Sequence, residues 1–339
     1  MKFSTLLPCL PRLLTSVFLA TACGVSPNLL YATEPETTPT NSVIAERLFS
    51  SPDEAINVLK KATEAKDQSA FQEIFGPEFV EVQTGDPVQD ASNAQRFAVA
   101  IAQSCNQVKE SDDRITLEVG TNDWPMPIPL VKVAGRWHFD TAAGKEEIIN
   151  RHIGKDELCA IGVCRAYVAA QRQYFSLNPD PDSQGEAAYA LKFKSSPGKK
   201  DGLYWPAAEN EPASPFGPLV AEAHAEGYHL HKGAGSHPFH GYYFRILIRQ
   251  GEAAPGGEKD YLSHGKLIGG FALVAYPERW DQSGIMTFIV NQDGKVFQRN
   301  LGEKTTRIAG TIKAYNPSSD WVLVPDEGVT NVASEVSEQ

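Results

Sequence analysis

The sequence predicts an α+β protein whose helices and antiparallel sheets alternate in blocks. Three observations predict it. Helix-spaced apolar residues fill 51–103, and alternating strands with a tight turn follow at 115–140. A second helical stripe runs from Glu157 to Phe175. Finally, Gly269 to Leu301 alternates apolar and polar residues three times and turns at Asp293-Gly294, which reads as an antiparallel meander.

The N-terminus reads as an export signal. The first 32 residues carry Lys2 and Arg12 and no acid, followed by the apolar run Leu13 to Ala22. That run is too short for a stop-transfer helix. Three exits are open: Ala20-Thr21-Ala22 for a signal peptidase, the same residues before Cys23 as a lipid-anchor site, and Leu30-Tyr31-Ala32, which we favour. Removing residues 1–32 takes away two positive charges, so the net charge moves from −11 to −13. An acidic surface without a Lys/Arg cluster argues against nucleic-acid binding. No later apolar run reaches membrane-spanning length, so a soluble or lipid-tethered mature chain is expected.

Residues 33–48 read as a disordered leader. Ser51 caps the first helix, with Pro52 in its first turn and Glu54 completing a capping box; Ala55, Leu59 and Ala62 share one face up to Lys66. Asp67 opens a short helix stopped by Gly76-Pro77, and a third helix covers Asp90 to Gln103. Ile115, Leu117 and Val119 form a strand. Ile128 to Val133 then pairs through Ala134-Gly135 with Arg136 to Asp140, which puts Trp137 and Phe139 on one face and His138 on the other.

A connecting helix, 143–153, is broken by Gly154, and the stripe Ile161, Cys164, Val168, Phe175 follows. The loop NPDPDSQGE holds Asp180, Asp182 and Gly185, read as solvated because no acid closes a calcium loop. A short helix, Pro218 to Glu226, ends at Gly227. Strands are predicted at Tyr242–Ile248, Leu267–Tyr276, Ile285–Asn291 and Lys295–Asn300. Two domains are therefore expected, 49–142 and 154–320, followed by an acidic tail at 321–339.

Apart from Cys9 and Cys23, the cysteines are Cys105, Cys159 and Cys164. Cys159 and Cys164 fall on different faces of one helix and should not bond each other. Either can pair with Cys105, or all three are small buried residues.

Several blocks carry a resemblance: FSSPDEAINVLKKA, GTNDWPMPIPLVKVAGRWHFDTAAGKEEI, CRAYVAAQRQY, SPGKKDGLYWP, HGYYFRIL, GGFALVAYP and GIMTFIVNQDGKVF. In that order they resemble the bacterial family called domain of unknown function 2950, over nearly the whole mature chain. The resemblance implies an exported envelope protein without an assigned reaction. Residues 48–142 are similar in architecture to the cone-shaped nuclear-transport-factor-like and SnoaL-like domains. Residues 154–302 are similar to the globular half of pilin-like proteins, a helix on an antiparallel meander. The corresponding helix here carries Lys155, Asp156, Glu157, Arg165 and Arg172, so it cannot insert in a membrane and no filament assembly is expected.

His224, His229, His231, His237 and His240 fall within 17 residues, and His229-x-His231 on a strand would share a side; His229, His231 and His240 are the metal candidates. A polar loop is the alternative, and no metal or other cofactor is assigned. No GxSxG, GxxxxGK[ST] or GxGxxG occurs. A pocket in the first domain would use Trp124, Trp137, His138 and Asp140, unless those aromatics fill the core. An aromatic partner surface in the second would use Trp205, Tyr242 and Arg245. The expectation is a non-catalytic binding or scaffold module contacting an envelope protein or glycan. The alternative is a periplasmic hydrolase-like enzyme or metal-binding protein using the first-domain pocket or the His224–His240 loop.

Overall fold

Each α-helix of the N-terminal half starts where a short polar side chain can take the free N–H groups of its first turn. The computed structural model describes residues 46–179, 186–208, 210–228 and 237–325. The predicted signal, the leader up to residue 45, the Asp180–Gly185 loop, His229, His231 and the tail from 326 lie outside the described residues. α1 spans Pro52–Ala65, and Ser51 Oγ accepts from the Glu54 N–H at 3.2 Å. The Glu54 carboxylate reaches back to the Ser50 N–H at 2.8 Å, one residue earlier than a capping box requires. α2 spans Gln68–Phe75 under the Asp67 cap. α3 spans Pro87–Gln103; it begins three residues before the predicted start because Asp86 takes the Val88 and Gln89 N–H groups.

The first sheet holds β1 (Cys105–Ser111), β2 (Arg114–Val119), β3 (Leu130–Val133) and β4 (Arg136–Phe139), all antiparallel in that order, with Trp124–Pro125 added on β2. The β3–β4 turn is Ala134-Gly135 with φ of 49° and 80°, the two positive values that match hairpin twist. Trp137 and Phe139 are buried, and His138 faces the other way. Phe49, Leu59, Ile74, Leu117 and Phe139 fill the core beneath the sheet.

α4 is the main departure from the expected layout. It runs unbroken from Thr141 to Leu177, 37 residues, or about 55 Å at helical rise. Gly154 does not interrupt it, and a Cβ there would meet nothing within 4 Å. A single glycine costs only about 1 kcal/mol relative to alanine. Packing on both sides outweighs that: Ile148 lies against the first core, and Ala160 to Tyr174 against a second.

The second sheet is the predicted meander. Its order is β9 (Val322–Leu323), β8 (Phe297–Asn300), β7 (Met286–Asn291), β6 (Ala272–Pro277), β5 (Tyr242–Leu247). The strand expected from Leu267 to Tyr276 is cut at Gly269-Gly270, where a Cβ on Gly269 would lie 2.8 Å from the Asp260 carbonyl oxygen. α4 packs on β6 and β7, and the Glu157 carboxylate accepts the N–H groups of Ile285 and Met286 at 2.9 Å each. α5 (Gly217–Glu226) and α6 (Thr305–Thr311) complete the described α-helices. Helices and antiparallel sheets together make the fold α+β. Cys105, Cys159 and Cys164 are free thiols; Cys164 is fully enclosed, and burial pushes its pKa up to about 12.

Candidate functional site

One turn of α4 carries an unusual load of polar groups for a buried helix face. His152 and Asp156 are four residues apart, so both project on one side. Asp156 is 0% exposed, and its Oδ2 lies 3.1 Å from His152 Nε2. That approach is not aligned as a hydrogen bond, and among the described residues neither Asp156 oxygen has a hydrogen-bond partner. From α3 comes Gln89, 3% exposed, with its amide facing the carboxyl and both amide atoms unpaired. From the chain before β5 comes His240, whose Nδ1 is 4.0 Å from Asp156 Oδ1. The opposite ring nitrogen, Nε2, meets the Glu226 carboxylate at the end of α5 at 2.7 Å. Beside it, the Tyr228 hydroxyl donates to Asp86 Oδ2 at 2.7 Å.

The sequence folds this way because Gly241 allows the close approach. Its φ is +64°, and a Cβ would sit 2.7 Å from Asp156 Oδ2 and 2.6 Å from Ser283 Cβ. Arg279 adds a tie nearby, donating from Nη2 to the Thr84 carbonyl at 2.5 Å. The chain around Thr84–Gln89, His152–Asp156, Glu226–Tyr228 and His240-Gly241 thus converges through polar contacts, where the two apolar cores are elsewhere separate.

Electrostatics follow from enclosure. Burial raises the Asp156 carboxyl to about 7 against the opposing pull of Gln89 and Lys155. Burial also lowers His152 to about 4. Both groups are therefore driven toward their neutral forms. Lys155 is lowered by burial, with the Arg96 charge adding to it. Glu226 is lowered, first by its bond to His240. Tyr228 is raised by burial and by its bond to Asp86.

An open groove of about 660 Å³ lies beside the cluster, between α3 and the end of α5. Pro87, Val88 and Ala91 form the α3 wall, and Glu226 and Gly227 the other. Arg96 also lines it and is held by the Asn93 side chain at 2.6 Å.

The residues singled out from sequence are distributed differently. Trp137 is core, 7% exposed, and Asp140 caps α4 through the Ala143 N–H at 3.0 Å. His138 Nδ1 pairs with Glu46 at 2.9 Å, and Trp124 is exposed under the Arg151 guanidinium. Trp137 belongs to the same core as Phe49, Phe75 and Phe139. Trp205 and Tyr242, expected on a partner surface, are 6% and 0% exposed; both face the second core. Arg245 donates to the Ala309 carbonyl at 2.7 Å. Of the metal candidates only His240 is described, and its two ring nitrogens face carboxylates. Among the described residues no group of three or more His, Cys, Asp or Glu side chains is placed to hold a metal ion.

The family profile described as Protein of unknown function (DUF2950) matches residues 46–324. The chain belongs to that family. The match spans every element of this DUF2950 fold, from the residues just before α1 to β9, and it includes the whole buried cluster. No curated protein and no solved structure matches the chain. Sequence reading missed Asp86, Gln89, His152, Asp156 and Glu226 as a group. The available signal was His152 and Asp156 at helical spacing on an otherwise apolar stripe.

Proposed function

We propose that this DUF2950 protein is an exported envelope binding module that holds an extended peptide segment of another protein in the groove between α3 and α5. The observation that carries the reading is the groove itself. It is widely open to solvent, its walls are mainly small and apolar, and it presents Arg96 on one wall and Glu226 on the other. Opposed single charges suit the carbonyl and N–H groups of a peptide backbone. A glycan would call for aromatic platforms, and among the described residues the lining contains none. The signal-like N-terminus supports export, and no helix among the described residues is long and apolar enough to cross a membrane. The division into a nuclear-transport-factor-like half and a pilin-like half belongs to this reading. It is supported by the two separate apolar cores and by the helix laid on an antiparallel meander.

A hydrolase-like reading has one observation behind it, the His240–Glu226 pair beside the groove. Against it, His240 directs Nε2 at Glu226 and Nδ1 toward Asp156, so neither nitrogen is turned to a ligand.

Selection from a displayed random-peptide library on the purified protein tests the groove. Selected peptides should lose at least about tenfold in affinity with Ala91→Arg or Arg96→Ala, about 1.4 kcal/mol or more. Equal binding by both variants would contradict the reading. Cleaved peptide that accumulates with turnover, and stops with His240→Gln, would favour the enzyme. For export, the intact mass from native envelopes should begin at Thr33 or at a lipidated Cys23; a chain retaining Met1 would contradict it.

A further inference from the structure

Three segments are tied to one turn of α4 by polar side chains, and the proposed peptide binding uses none of these side chains except Glu226. Asp156 has no exposure and no aligned hydrogen bond. Its own helix presents His152 at 3.1 Å, with Lys155 and Glu157 adjacent in sequence. α3 presents Gln89 and Asp86 to it, and Asp90 to His152. The chain before β5 presents His240, which is held from behind by Glu226 of α5. Tyr228 completes the ring through Asp86. Gly241 closes the remaining side so tightly that even a methyl group does not fit.

We infer that this junction is a proton-operated clasp: with the proton on Asp156, the start of α3 and the chain at His240-Gly241 stay packed on α4, and loss of that proton parts them. The physical argument is desolvation. A protonated carboxyl tolerates enclosure, whereas an ionised one without hydrogen bonds does not. The ionised Asp156 faces the carboxylates of Asp86 and Glu157, with Lys155 as the adjacent cation. Moving Gly241 and His240 away admits water to both Asp156 oxygens. The displacement relieves the charge without unfolding either apolar core, since neither core includes these residues. The direction is therefore opening as pH rises through neutrality, in line with the elevated proton affinity that burial gives Asp156.

Hydrogen exchange read by mass spectrometry from pH 6 to 9, corrected for intrinsic exchange, tests the clasp. Amides of 86–92 and of the 237–241 side should lose protection together, by up to about tenfold per pH unit above neutrality for a single-proton step. Amides of β6 and β7 should not change. Asp156→Asn should hold both segments at a pH-independent level. Because that variant can fail to fold, the wild-type chain carries a second readout. A ¹³C-labelled aspartate carboxyl resonance should titrate near neutrality, with the same midpoint as the opening. Unchanged protection of both segments across the range would overturn the inference. So would opening that persists in a folded Asp156→Asn protein, or aspartate resonances that all titrate in the acid range.

Discussion

Replacing Asp156 by Asn should expose a dependence of stability on pH that the wild-type chain hides. In the folded protein His152 is lowered from 6.5 to about 4 by burial. A depressed group contributes stability that is present above its unfolded pKa and lost as pH falls through the folded one. At about 1.4 kcal/mol for each pH unit by which a pKa is displaced, His152 removes about 3 kcal/mol between pH 6.5 and 4. Asp156 is raised from 3.8 to about 7. A raised group contributes stability that is present below its unfolded pKa and lost as pH rises through the folded one, here about 4 kcal/mol between pH 4 and 7. Through most of this window the slopes are opposite and nearly cancel. The unfolded chain keeps the proton on His152 and the folded chain keeps it on Asp156, so folding takes up none. Asp156→Asn leaves the His152 contribution alone. Denaturant unfolding at half-unit steps from pH 4 to 7 should then give a free energy that rises by about 3 kcal/mol, against a shallow wild-type profile. His152→Gln should give the reverse slope. A folded Asp156→Asn protein whose profile stays parallel to wild type would refute this reasoning.

Further outcomes follow from the same geometry. Gly241→Ala should cost at least about 2 kcal/mol, since it places a Cβ at positive φ and against Asp156 and Ser283. Gly154→Ala, in open space on α4, should add up to about 1 kcal/mol; thermal melts of the two variants should move in opposite directions. Glu157→Gln weakens two charge-assisted bonds to Ile285 and Met286 and should lower the unfolding free energy by about 1–2 kcal/mol in urea titrations. Tyr228→Phe removes the donor to Asp86 and should cost about 1 kcal/mol, with faster amide exchange at the start of α3.

Local rules made much of the fold legible. Ser51 and Asp67 were readable as caps, and Ala134-Gly135 as a hairpin turn, because each decides backbone geometry within four residues. β1 was not readable. Its residues CNQVKES lie on an exposed edge, so no apolar alternation marks them, and only pairing with β2 makes them a strand. Gly154 misled for the opposite reason: its local cost is real but smaller than the packing of a helix shared by two cores. Trp205 and Tyr242 carried large apolar rings, and burial claimed them over any partner. The polar cluster needed pieces from near residues 86, 152, 226 and 240, joined only by tertiary folding. His240 stood out by the density of nearby histidines, whereas its partner Asp156 read only as one of the charges that keep α4 out of a membrane.

The most direct measurement is site-specific photocrosslinking in living cells, with a photo-reactive phenylalanine at Ser92 in the groove and, separately, at Lys109 on the exposed edge β1. The account predicts a discrete envelope-protein adduct from Ser92 alone. That adduct should map to one short segment of the partner, and a peptide of that segment should bind the purified protein with an affinity reduced by Arg96→Ala. Identical adducts from both positions, or a Ser92 adduct whose peptide binds equally well without Arg96, would contradict it.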